Sequence, residues 1–188
     1  MTDTVRVAVF VGSLRKESFN RRLALAVASL APKEFVFEHI AIGDLPHYNQ
    51  DRDKNLPEEA VRLKREIERC QALLFVTPEY NRSIPGVLKN ALDTASRPYG
   101  TNSFAGKPAG VIGISVGPVG TAAAQQHLRP ILACLDIPTL GQPEVFIQNH
   151  EGLIDENGVI GKEDTKKFLQ KWVDRYVAWV KAHLPAGS

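Results

Sequence analysis

Ala72-Leu73-Leu74-Phe75-Val76-Thr77 is a run with almost no polar face. Short and rich in bulky apolar groups, it reads as a strand buried on both sides. Such a strand belongs in a parallel sheet, because parallel strands need crossover connections that lay helices over both faces. The flanking sequence supplies those parts. Val5 to Val11 reads as a first strand ending at Gly12, and Arg22 to Leu30 carries Leu23, Val27 and Leu30 at helical spacing. Phe35 to Ile42 is a second strand, followed by a polar loop from His47 to Asn55. Pro57-Glu58-Glu59 starts a helix, with a proline in the first turn and acids against the positive end of the dipole. Ala60, Leu63, Ile67 and Cys70 share its inner face.

Beyond the third strand, Gly86 to Ser96 reads as helix and Ala109 to Val116 as a fourth strand. Thr121 to Leu135 is a helix that turns Leu128, Ile131, Leu132 and Leu135 inward, and Pro143 to Ile147 is a fifth strand. Glu163 to His183 closes the chain with Leu169, Trp172, Val173, Tyr176 and Val180 as its packing face. Trp179 falls at the same helical spacing and reads as core with Trp172 and Tyr176. Five strands alternating with helices predict an α/β doubly wound sheet with right-handed crossovers. Both common strand orders fit, and each puts a ligand crevice at the carboxyl ends of the strands. The loops after Val11, Thr77 and Val116 are therefore the candidates for function.

Length and charge narrow the classes. The 188 residues suit one domain, 1–188, with fraying expected only in the first few residues and from Pro185 to Ser188. Net charge is +2 with both signs interspersed, which lacks the concentrated basic face that nucleic acid or anionic lipid needs. No signal-peptide pattern or bilayer-length apolar run stands out, so a cytoplasmic protein without membrane insertion is expected. Cys70 and Cys134 are far apart and read as buried, inert thiols. The five histidines lack the spaced partners of a metal site.

The first crevice loop, Gly12-Ser13-Leu14-Arg15-Lys16-Glu17-Ser18-Phe19-Asn20-Arg21, contains neither a dinucleotide G-x-G-x-x-G nor a P-loop. It does gather side-chain donors in Ser13, Ser18 and Asn20, a guanidinium in Arg15, and the open amides of a helix start. Together these suit a phosphate monoester, while Ser18 also reads as the helix cap. Gly12-Ser13-Leu14-Arg15, with Ser18 and Asn20-Arg21, resembles the phosphate loop of the NADPH-dependent FMN reductase family. That family includes bacterial chromate, quinone and azo reductases of flavodoxin fold. The second loop, Thr77-Pro78-Glu79-Tyr80-Asn81 through Pro85-Gly86 and Lys89-Asn90, is similar to the family's flavin-ring loop, and many positions match in register.

The resemblance implies a flavodoxin-like three-layer sandwich: a five-stranded parallel sheet with helices on both faces. It also implies FMN, with its phosphate on Ser13, Arg15, Ser18 and Asn20 and its ring against Pro78, Glu79, Tyr80 and Asn81. NAD(P)H then delivers hydride, and a small-molecule oxidant takes the nicotinamide's place in ping-pong turnover. The candidates are quinone, chromate, azo or nitro compound, and free flavin. No side chain need act as acid or base. Glu79 also reads as a loop-holding side chain that, by resemblance, reaches toward a subunit interface. The third loop, Ser115-Val116-Gly117-Pro118-Val119-Gly120-Thr121, departs from the family's paired glycines through Thr121 and lacks an amide at Pro118. Ser115 and Gly117 are its candidate contacts. Members of the family assemble as dimers or tetramers, with His47-Tyr48-Asn49 near a neighbouring flavin site and Arg129 an interface or solvated charge. NADPH and NADH are both open as reductant. An electron-shuttle flavodoxin without hydride chemistry is the alternative, though such carriers tend to be strongly acidic. A flavin-binding module with an assembly or sensing role is a third.

Overall fold

The computed structural model describes residues 4–184; the ends expected to fray, 1–3 and 185–188, lie outside the described residues. Strands β1 (Val5–Val11), β2 (Phe35–His39), β3 (Ala72–Val76), β4 (Ala109–Ser115) and β5 (Phe146–Gln148) form one sheet of order β2-β1-β3-β4-β5, parallel at every pairing. This is the flavodoxin-type order, in which winding reverses at β1 and leaves a crevice beside its carboxyl end.

Helices cover both faces. Helices α1 (Phe19–Leu30) and α5 (Glu163–His183) pack on one side; α2 (Glu58–Glu68), α3 (Gly86–Ala95) and α4 (Ala122–Cys134) pack on the other. The two-residue period of the strands divides the core. Val5, Val7, Val9 and Val11 of β1 face α1 and α5, while Ala8 and Phe10 face the opposite layer. Phe10 stacks on Phe75 at 5.2 Å between centroids, and Trp172 stacks on Tyr176 at 5.1 Å. The Tyr176 hydroxyl donates to the Leu73 carbonyl at 2.9 Å, which satisfies the polar end of a fully buried ring. Leu169, Trp172, Val173, Tyr176 and Val180 are all buried, and Trp179 is half-buried at the edge of the same cluster.

Several boundaries differ from the sequence expectation. β2 ends at His39 because Ile40 makes the last bond to β1, through Val9, and Ile42 then turns into the core beneath α2. β5 begins late: Pro143 has no N–H to offer, and the ladder starts where the Val145 carbonyl accepts from Gly113. Helix α1 starts at Phe19, three residues before the expected Arg22, because Ser18 caps it. Cys70 is buried as expected, and burial pushes its thiol up. Cys134 is exposed on the last residue of α4, which corrects the reading of two buried thiols. On α4, Leu128 and Leu132 are buried, and Ile131 and Leu135 pack at the margin.

Candidate active site

All three crevice loops meet at the carboxyl ends of β1, β3 and β4. Gly12 makes the junction: its amide donates to the Val76 carbonyl at 2.9 Å, the last bond between β1 and β3. A Cβ at Gly12 would stand 3.1 Å from Pro78 Cδ and 3.4 Å from both Pro85 and Thr77. Glycine there lets the first loop abut the second.

Ser18 caps α1, its Oγ accepting the Arg21 amide at 3.2 Å, and is itself buried. Among the described residues, the backbone amides of Ser13 through Ser18 have no protein acceptor. The first turn of α1 carries no acid, so nothing on it opposes the positive helix end. Arg15 is exposed and rests over the Phe19 ring, 5.4 Å from its centroid. These features can hold an anion of phosphate size.

Asn20 does something else. Its Nδ2 donates to the Ile114 carbonyl at 2.9 Å and its Oδ1 accepts the Ile114 amide at 3.1 Å. The β3–β4 ladder ends at Ile112, just before β3 runs into Pro78, so the Asn20 amide acts as the missing strand partner. Asn20 is buried and holds the start of α1 over β4. Its place in the loop is thus positional, with both ends of its amide already engaged.

The second loop is a tight hairpin. Tyr80 and Ser83 exchange both backbone bonds at 3.0 Å, and Asn81 and Arg82 between them have φ of 50° and 65°. Two left-handed central residues define a type I′ turn, and asparagine is among the few side chains that tolerate the first position. The Glu79 side chain lies beneath, with only 8% of it exposed. One carboxylate oxygen accepts from Arg82 Nη1 at 3.0 Å, and the other accepts the Ala124 amide in the first turn of α4 at 3.1 Å. Pro78 is buried and Tyr80 is exposed. His127 Nδ1 lies 3.0 Å from Ser83 Oγ and braces the hairpin from α4.

The third loop is braced internally. Ser115 Oγ donates to the Gly120 carbonyl, and the Gly120 amide donates to Gly117 at 3.0 Å. Gly120 has φ of 62°, and a Cβ on it would stand 2.8 Å from the Phe146 backbone. Gly117 by contrast faces open space, the nearest atom to a built Cβ being Ser115 Oγ at 3.9 Å. Thr121, in place of a second glycine, turns its side chain inward to Gln125, and Gly113 leaves room for it.

Glu79, Asn81, Arg82 and the segment 115–120 enclose a cleft of about 320 Å³. Exposed Val116 and Val119 line it, and exposed Tyr80 stands on the same hairpin as Asn81 and Arg82. Such a rim suits a flat ring. Arg82, Val116 and Val119 line the cleft without any signature in the sequence pattern. The Asn-Arg pair between Tyr80 and Ser83 was the available sign of the hairpin. Asn90 also gains a role: its side chain holds the Tyr48 amide at 2.9 Å and the Pro46 carbonyl at 3.1 Å, fixing the loop after β2 to α3. Arg129 is half-buried: its Nη1 donates to the Leu140 carbonyl at 3.0 Å, while Nε is buried without a partner among the described residues. His39, at the end of β2, is held below the usual imidazole range, first by burial and then by Arg21. Among the described residues, no cluster of three or more His, Cys, Asp or Glu could hold a metal.

A parallel sheet of order β2-β1-β3-β4-β5 whose crevice loops meet after β1, β3 and β4 defines the flavodoxin class of fold. The sequence pattern of the NADPH-dependent FMN reductase family matches residues 5–152, and the chain belongs to that family. A 2-hydroxy-1,4-benzoquinone reductase of Burkholderia sp is 55% identical over 177 residues, covering 94% of this chain and 97% of that protein. A quinone reductase of Pseudomonas putida is 46% identical over 182 residues, covering 96% of this chain and 97% of its own. The structure of FerB, a flavoenzyme NAD(P)H:(acceptor) oxidoreductase from Paracoccus denitrificans, superposes with a TM-score of 0.92 at 47% identity, covering 96% of this chain and 99% of FerB. The protein is thus an NAD(P)H-dependent flavin oxidoreductase with FMN as its cofactor.

Proposed function

We propose that this chain is a quinone reductase in which Ser13, Arg15, Ser18 and the loop amides hold the FMN phosphate. In the same reading Pro78, Glu79, Tyr80, Asn81, Ser115 and Gly117 frame the ring, and Asn20 positions the phosphate loop from behind. One observation carries the assignment: six consecutive open amides precede α1 on a loop whose first residue, Gly12, abuts Pro78, next to the hairpin that lines a cleft of about 320 Å³. The bound flavin supplies two-electron transfer between nicotinamide and oxidant. The protein's own part is geometric. The amides of Ser13 to Ser18 donate to the phosphate and Arg15 offsets its charge, while the I′ hairpin fixes Tyr80 and Asn81. Glu79 ties that hairpin to α4, and the open face of Gly117 admits a planar group at close range. No buried nucleophile–base pair is required.

The reaction calls for sequential use of one site by NAD(P)H and then by the oxidant. Initial rates measured against NADH at several fixed benzoquinone concentrations should give parallel double-reciprocal lines, while intersecting lines would argue for a ternary complex and against a shared site. The quinone reductase names of the close relatives favour quinones. Chromate, azo and nitro compounds and free flavin extend the same reading, because each needs only access to the ring. A cytoplasmic setting follows from the use of NAD(P)H. The whole chain, 1–188, acts as one FMN-binding domain. Self-association into a dimer or tetramer is supported by the groove between α3 and α4, lined in part by Ile84, Pro130 and Ile131. The electron-shuttle reading is disfavoured by the +2 net charge and by the reductase names of the close relatives.

A further inference from the structure

We propose that Arg82 makes the cleft selective for oxidants with a delocalised negative charge beside the reducible carbonyl, ionised hydroxyquinones above all. The proposal rests on the quinone-reductase reading. Arg82 is the second central residue of the I′ hairpin, so its Cα is fixed on the rim by the paired bonds of Tyr80 and Ser83. The side chain is 73% exposed, and its ion pair uses Nη1 alone on one oxygen of Glu79. Among the described residues, Nη2 and Nε have no acceptor. Glu79 offsets part of this charge at the cleft mouth but engages only Nη1, leaving Nη2 and Nε to a further acceptor. It is nearly buried, and its second oxygen is bound to the Ala124 amide at the positive end of α4. That first turn holds no acid. The cleft is therefore lined by a partly free guanidinium fork together with the exposed apolar side chains of Val116 and Val119.

A hydroxyl on a quinone ring is a vinylogous carboxylic acid. Its anion is planar and spreads its charge over the oxygens on C2 and C4, and the C2 oxygen stands next to the C1 carbonyl oxygen, so that this adjacent pair can meet one guanidinium edge. Such an anion resists hydride, since the product would gather a second negative charge. A fixed cation beside the ring offsets that build-up. The net step balances as one hydride equivalent from NAD(P)H plus two protons. The C–H bond of the dihydronicotinamide breaks, NAD(P)⁺ leaves, and 2-hydroxy-1,4-benzoquinone anion becomes neutral benzene-1,2,4-triol. A neutral benzoquinone takes the same hydride with one proton and gives the guanidinium no charge to bind.

The test compares kcat/KM for 2-hydroxy-1,4-benzoquinone and 1,4-benzoquinone in the FMN-loaded wild type, Arg82→Gln and Arg82→Lys, with NADPH and NADH. In Arg82→Gln the hydroxyquinone-to-benzoquinone ratio should fall about tenfold or more, the scale of one charge-assisted hydrogen bond. Arg82→Lys should recover part of it, keeping the charge without the fork. The deficit should shrink as pH is lowered toward protonation of the hydroxyquinone. An unchanged ratio in a variant that keeps its flavin overturns the proposal. So does an effect confined to the KM for NADPH, which would assign Arg82 to the nucleotide. A wild type that reduces neither quinone overturns the quinone reading and this proposal together.

Discussion

The Glu79 carboxylate accepts the backbone amide of Ala124 at 3.1 Å, so the loop after β3 supplies the cap that α4 lacks. Thr121, at the N-cap position, makes no capping bond of its own. The same carboxylate holds Arg82, and the two bonds join the hairpin after β3 to the helix behind the third loop. Glu79→Ala should cost about 1–2 kcal/mol of stability, the range of a lost cap and a buried acceptor. It should also loosen FMN, whereas Glu79→Gln, which can still accept from Ala124, should keep most of the stability. Urea unfolding and FMN titration of the two variants check both points.

Asn20 and the pair Arg15 and Ser18 should separate in their effects. Asn20→Ala leaves the Ile114 amide and carbonyl without partners in the core, and should destabilise by about 2 kcal/mol. Arg15→Ala with Ser18→Ala should weaken FMN retention while the fold stands, with a loss of about 1 kcal/mol from the missing cap. Flavin affinity unchanged in the double variant would remove the phosphate site from this loop. Fluorescence titration of FMN alongside thermal melting reads both.

Much of this was legible in the sequence, and the rest was hidden for identifiable reasons. The bulky runs of β1 and β3 and the helical spacing of Leu169 to Val180 predicted elements and core together, because burial on both faces leaves so little freedom. The three loops followed from topology alone. Periodicity is blind to strand order, and only the observed pairing shows that β1 sits between β2 and β3. Side-chain roles were harder. Sequence does not distinguish a phosphate donor from a strand partner at Asn20, whose side-chain amide binds Ile114 where the β3–β4 ladder has ended at Ile112. Arg82 was passed over because a charged residue in a loop has no signature until the turn type is known. Cys134 was misplaced because a helix end is exposed whatever its spacing suggests.

The two glycines of the third loop should behave oppositely. Gly120→Ala forces a Cβ into a left-handed residue 2.8 Å from the Phe146 backbone, and should cost more than about 1 kcal/mol. Gly117→Ala meets open space and should leave the melting temperature of the apoprotein unchanged while lowering FMN affinity. A Gly117 variant with unaltered affinity would show that the ring does not approach there.

The thiols should also differ. Cys134 should react with a maleimide in the native protein, and Cys70 only on unfolding, since burial both shields its thiol and raises its pKa. Replacing both with Ala should leave reductase activity standing; mass spectrometry and a rate assay decide it.

Glu38 predicts an acid-side dependence. Burial pushes its carboxyl up, but Arg6 and Arg69 on either side outweigh this and hold it below the usual range. The folded state therefore binds this proton less tightly than the unfolded chain. The contribution is complete above the unfolded value of about 4.3 and is lost as pH falls through the lower folded value. Both guanidinium groups are half exposed, so Glu38→Gln should cost only about 0.5–1 kcal/mol at pH 7. Its gap to wild type should close in strong acid, as melting curves across pH would show.

The central claim is that this fold carries FMN and passes electrons from NAD(P)H to quinones. Its most direct test is the visible spectrum of the purified protein, recorded without oxygen before and after NADPH or NADH, and again after benzoquinone. A yellow protein that bleaches with the nucleotide and regains its colour with the quinone is the predicted result. A yellow protein that stays oxidised with both nucleotides would contradict the reductase and leave an electron carrier in its place.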